Sequence, residues 1–255
     1  YHLHADAHYW AGVYPRTLEL SRLAAETGGK DSYSAEYRLR GVGMQGISLA
    51  GLGRYEESLV AGENAIALSR KLGRSDNVVM NYSTLPLREI FAVDEALARS
   101  ELVVSRLGPS SFNMPWLNGR ADLLGSLLLQ GELGRVARDW PGTWDDAVAS
   151  DAWEHWLIMG RLAAYRADLE LQAGRLDDAV TWARRAIEGA RTGMRPKYEA
   201  IALTSLGKAL TLSGVDAAVE LRSAVEIADR LGSPLLRWQT RAALAGAVAS
   251  EREAL

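Results

Sequence analysis

Three patterns in this sequence use residue types that cofactor binding, metal binding or acid–base catalysis would need. The first is Gly41-Val42-Gly43-Met44-Gln45-Gly46, which has the glycine spacing of a dinucleotide-binding turn. That turn needs a strand before it and an acidic residue about twenty positions on, in a βαβ unit. The residues before Gly41 (YSAEYRLR) have a helical pattern instead, so Gly46 is expected to be a small packing residue inside a helix. No Walker-type lysine motif occurs either.

The second pattern is histidine. His2, His4 and His8 crowd the start, and the fourth is His155. His4 and His8 stand i, i+4, a spacing that puts two imidazoles on one helix face and can chelate a metal. No H-E-x-x-H accompanies them, and Asp6 falls on another face, so a polar helix entry is the expectation, with no metal and no cofactor. The third pattern is paired carboxylates at Glu56-Glu57, Asp145-Asp146 and Asp177-Asp178. The first and last pairs sit where a helix is expected to begin, and there negative charge complements the helix dipole. General acid–base work would require a pocket that raises one pKa. Cysteine is absent, which removes disulfides, thiol catalysis and cysteine-based zinc sites. No catalytic residue is therefore assigned, and the chain is read as a non-enzyme.

Eight tryptophans are the unusual feature of the composition. Trp116, Trp153, Trp156 and Trp238 fall near the starts of first helices of pairs, and Trp140, Trp144 and Trp182 go with second helices. Core and inter-repeat packing is the favoured role, since large aromatics bury well. An aromatic-lined ligand or peptide groove, with Trp116, Trp153 and Trp156 as contacts, is the other.

What would position these residues is an all-α array. Apolar residues make up 48% of the 255, too many for disorder, and no apolar run approaches the ~18 residues of a membrane span. Lysine is confined to Lys30, Lys71, Lys197 and Lys208, the remainder of the 29 basic residues being arginine, as in G+C-rich bacterial coding. The net charge of −3 argues against a dominant phosphate-binding face, so no nucleic-acid contact is expected. Amphipathic runs close on Gly28, Gly73, Gly108, Gly193 and Gly232, where glycine can supply a left-handed helix end. Inside the units Gly46 and Gly53, Ala167 and Gly174, and Gly207 and Gly214 share one spacing. The first of each pair lets a second helix approach, and the second opens the turn to it.

On these residues, with Tyr55, Ala65, Leu176, Ala179, Ala186, Ala217 and Ala224, the chain resembles the tetratricopeptide repeat family. The resemblance implies a right-handed superhelical solenoid of antiparallel helix pairs. The expected pairs are 32–73, 76–108, 115–150, 151–193 and 197–232, with partial units at 1–31 and 234–255, in a single domain over 1–255. The chain is read as a piece of a longer protein, with Leu3, Tyr9 and Trp10 or Leu244 and Val248 touching what lies beyond. Pro86 is expected to kink or split its helix, residues 107–115 to form a loop, and Trp140-Pro141-Gly142 to interrupt another helix.

In such stacks the first helix of each pair lines the concave face. By resemblance the groove positions are Arg40, Met44, Asn81, Tyr82, Arg88, Asn118, Asp122, Arg161, Tyr165, Asp168, Thr204 and Lys208. From Trp153 onward the chain also resembles the C-terminal repeat region of large bacterial AAA/STAND ATPase regulators of the LuxR-type or nucleotide-cyclase-linked kind. Lys197-Tyr198-Glu199-Ala200, Leu206-Gly207-Lys208-Ala209-Leu210 and Leu231-Gly232-Ser233-Pro234 carry that likeness. It implies a cytoplasmic sensor or protein-interaction arm that takes a peptide, protein or small-molecule inducer and gates upstream ATPase and output domains. A standalone adaptor is the alternative, and an enzyme on a helical scaffold ranks below both.

Overall fold

The computed structural model describes residues 1–27, 32–108, 114–151 and 155–253. Among them the secondary structure is α-helical: α1 (His2–Trp10), α2 (Tyr14–Thr27), α3 (Ser32–Gly51), α4 (Tyr55–Lys71), α5 (Asn77–Glu89), α6 (Val93–Arg106), α7 (Met114–Gln130), α8 (Leu133–Ala149), α9 (His155–Gln172), α10 (Leu176–Thr192), α11 (Pro196–Leu212), α12 (Ala218–Leu231) and α13 (Pro234–Glu253). The chain falls into two compact units, Tyr1–Ser126 and Leu127–Leu255, where the repeat register had suggested one domain. Each is described by itself.

The helices follow from local sequence. In α10, Ala179, Ala183, Ala186, Ile187 and Ala190 make a buried stripe at helical spacing, Asp177 and Asp178 occupy the first turn, and Arg191 the last. Between the two helices of each pair one turn recurs. Its left-handed residue is Gly12, Gly53, Phe91, Gly131, Gly174 or Gly214. The next amide donates back to the closing turn of the helix, as in Arg54 N–H to Leu49 O at 2.8 Å and Arg175 N–H to Glu170 O at 2.9 Å. Sequence reading found Gly53, Gly174 and Gly214, but not Gly12 or Gly131, and Phe91 offers no glycine to find.

Several expectations are corrected. Gly193 is right-handed (φ −80°), and Met194 takes the left-handed conformation (φ 53°). Leu107 is extended at the end of α6, so Gly108 caps nothing there. Gly73 and Gly232 are left-handed as expected, and Gly28 lies outside the described residues. Helix α8 runs unbroken through Pro141, which lies on the exposed face, where water can satisfy the carbonyl it leaves unbonded. Helix α5 likewise contains Pro86 and ends at Glu89. Residues 1–27 form a full helix hairpin with a short first helix rather than a partial unit, and Tyr9 is buried against Tyr14 within it. Of the expected loop, 109–113 lie outside the described residues, and α7 begins at Met114.

Within each unit the first helices of pairs pack directly on one another: α1, α3 and α5 in the first, α9, α11 and α13 in the second. The second helices meet through long side chains instead. Arg99 of α6 reaches Glu63 of α4 at 2.5 Å, and Trp182 of α10 meets Trp140 and Trp144 of α8. The first helices thus form one packed layer in each unit, called the inner layer below.

Candidate functional site on the inner helix layer

The glycine triplet of α3 is a packing device. A Cβ on Gly41 would fall 2.9 Å from Ser21 O of α2, one on Gly43 would fall 2.5 Å from the Tyr82 ring of α5, and one on Gly46 would fall 3.3 Å from Ser58 O of α4. Three faces of one helix thus admit three neighbours at close range, which accounts for the dinucleotide-like spacing without a nucleotide. Among the described residues no three His, Asp or Glu side chains gather as metal ligands.

In the first unit the inner layer carries seven of the twelve expected groove residues, and most of them are tied up between helices. Met44 is fully buried among Tyr9, Tyr14 and Ile47, so it is a core residue and not a groove contact. Its place on the α3 face toward α1 and α2 decides this, not its residue type. Asn81 Nδ2–H donates to Pro115 O at 2.8 Å, and Arg88 pairs with the buried Asp122 at 3.2 Å; both links join α5 to α7. Arg40 donates to Glu36 at 3.0 Å. Burial works against the Arg40 charge, but Tyr82, Glu36 and Asp6 outweigh it and hold its pKa above the ordinary guanidinium value. Asn118 is half-buried on α7, and Arg120 lies over the Trp116 ring at 4.7 Å.

The second unit gathers its expected residues more tightly. Arg161 and Tyr165 are one turn apart on α9, with Arg161 NH2 donating to Tyr165 Oη at 3.3 Å. Asp168 lies about one turn further, and Ser205 of α11 donates to its Oδ1 at 2.6 Å. Burial raises the Asp168 pKa, opposed by the Ser205 hydrogen bond and the charge of Lys208. Lys208 is exposed beside it, while Thr204 is buried and spends its hydroxyl on Ala200 O. Tyr198, in the first turn of α11, sits within electrostatic reach of Arg161, Lys197, Tyr165 and Arg195. Burial raises the pKa of its phenol, opposed by the charges of Arg161, Lys197 and Arg195. The guanidinium of Arg195 covers the face of Trp156. Trp153 lies outside the described residues.

Sequence reasoning missed Tyr198 and Ser205 as partners of the groove set. Both lie on α11, and the contact of Ser205 with Asp168 needs the α9–α11 packing that no local pattern shows. The tryptophans divide as the packing expectation had it for the second helices. Trp140, Trp144 and Trp182 form a trio with centroids 5.1–5.4 Å apart, and the Trp140 indole donates to Leu162 O. Trp156 remains partly exposed.

The fold is all-α helix-pair stacking, an architecture consistent with a helical-repeat solenoid such as the tetratricopeptide-like ones. No protein-family model matches the chain, and no curated protein matches its sequence. Among the described residues no helix is long and apolar enough to cross a membrane.

Proposed function

We propose that the chain is a binding and regulatory repeat domain, whose inner helix layer in the second unit takes a polar small molecule or an extended peptide. The observation that supports this is the grouping of Arg161, Tyr165, Asp168, Tyr198, Ser205 and Lys208 from two packed helices. Guanidinium, ammonium, phenol, hydroxyl and carboxylate there offer donors and acceptors of both charges within one small area. Such a set recognises a ligand by hydrogen bonds rather than by apolar burial alone.

The resemblance of residues 153 onward to the repeat arms of bacterial AAA/STAND ATPase regulators gives this binding a role. Ligand or partner binding in the arm gates an ATPase and its output domain. The encoding gene is then expected to carry a Walker lysine motif upstream of this segment; a gene without one makes the chain an adaptor.

Ligand binding is tested by thermal denaturation against panels of metabolites and short peptides. A true ligand raises Tm progressively with its concentration. Tyr165→Ala and Lys208→Ala should each remove that rise while leaving the helical circular dichroism of the free protein unchanged. If no compound stabilises the protein, or if both variants respond as the parent does, the inner-layer reading fails.

A further inference from the structure

Positive charge is concentrated at the end of the inner-layer site where α11 begins. Arg161 of α9 and Arg195, the residue before α11, are each 6% exposed. Lys197, in the first turn of α11, is half-buried. All three cations bear on Tyr198, as does the Tyr165 hydroxyl. Arginine does not lose its proton in a protein, so two of these charges are permanent.

Both guanidinium groups are held in place. Arg161 NH2 donates to Tyr165 Oη at 3.3 Å and lies 5.9 Å from the centre of that ring. Arg195 Nε–H donates to Gly193 O at 3.3 Å, and its guanidinium covers Trp156. The acids of α9 and α11 are matched to other groups. Glu170 pairs with Arg166 and Arg175, Glu199 pairs with Arg191 at 2.7 Å, and Asp168 accepts from Ser205 at 2.6 Å. Cations of one sign gathered against low-dielectric walls raise the local concentration of anions.

We propose that this end of the inner-layer site is a pocket for the phosphate monoester of a small molecule. The proposal rests on the inner-layer reading and names the ligand class that reading left open. The charge count selects phosphate over a single carboxylate. A monoester carries about two negative charges at neutral pH and three acceptor oxygens. Two guanidinium groups, one ammonium and the hydroxyls of Tyr165 and Tyr198 match that number of charges and oxygens. One pocket needs no basic surface around it, so the net charge of −3 is compatible with it, whereas a nucleic-acid backbone would call for a basic stripe.

The test is calorimetric titration of the whole chain with inorganic phosphate at constant ionic strength, with acetate as the single-charge comparison. Saturable phosphate binding is expected, and acetate should bind more weakly by about tenfold or more. Arg161→Gln and Lys197→Gln should each raise the phosphate Kd by about tenfold or more. Arg184→Gln, at an exposed position of α10, should leave it unchanged. Helical circular dichroism checks that each variant folds, and the half-buried Lys197 decides the matter if Arg161→Gln does not. Absence of saturable phosphate binding overturns the proposal. Equal affinity for acetate, or binding that Lys197→Gln leaves intact, overturns it too. An uncharged compound whose stabilisation requires Tyr165 and Lys208 would then keep the inner-layer reading while this pocket falls.

Discussion

Two side chains occupy a backbone conformation that suits glycine. Phe91 (φ 61°) and Met194 (φ 53°) stand at turns where other repeats use a left-handed glycine. A left-handed conformation costs a residue with a Cβ roughly 1–2 kcal/mol, less what glycine loses in unfolded-chain entropy. Met194 is 81% exposed, so little packing is lost with it. Met194→Gly should therefore raise Tm by a few degrees in a denaturation scan; an unchanged or lower Tm would show that the turn stores no strain. Asp168 gives a pH-dependent case. Burial raises its folded pKa, so the folded protein holds that proton more tightly than the unfolded chain does. Its contribution is present below the ordinary aspartate range and is lost as pH rises through the raised folded value. Above that window Asp168→Asn should melt higher than the parent, and below it the two should melt together. Equal differences at all pH values would remove the argument.

At the level of helices, the small residues set how close a pair can approach. Gly207→Ala puts a methyl group into Leu221, which is fully buried, and should cost about 1–3 kcal/mol in urea denaturation. Gly189→Ala, on an exposed part of α10 with nothing within 4 Å of the added carbon, should not destabilise and serves as the control. A Gly207→Ala protein as stable as its parent would mean that α12 can shift without loss. The same residues explain what the sequence could show. Gly46, Ala167 and Gly207 mark helix pairs because close packing excludes larger side chains, and that constraint is local enough to read. Met44 was misplaced because its helix has neighbours on more than one side, and period alone does not say which face meets which. Pro141 reads locally as a break. The helix continues because the proline points to water, while Trp140 on the packed side bonds Leu162 O.

For the molecule as a whole, stability in such stacks is close to a sum over neighbouring interfaces. Helices α9 and α10 have packed partners on both sides, whereas the nine-residue α1 packs, among the described residues, mainly on α2 and α3. Hydrogen exchange followed by mass spectrometry should find the slowest amides in α9 to α11 and much faster exchange in α1. Equal protection in α1 would contradict a neighbour-sum account. The all-α class and most of the pairing were legible at this scale, because a recurring turn and a recurring small residue repeat along the chain. The division into two compact units was not, since contact density between elements far apart in sequence leaves no periodic trace. Of the candidate site, Arg161, Tyr165, Asp168 and Lys208 were legible through the family resemblance, the first three falling at helical spacing on α9. Tyr198 and Ser205 join the site only through packing.

The tryptophan trio also makes the second unit optically self-reporting. Trp140 and Trp144 stack at 19° on α8, and Trp182 meets both edge-on from α10. Indoles this close couple electronically, so near-ultraviolet circular dichroism would register the spacing of those two helices without any attached dye. Any event in the second unit that changes the α8–α10 spacing would change that coupling. The native chromophores sit across that gap and would record the change.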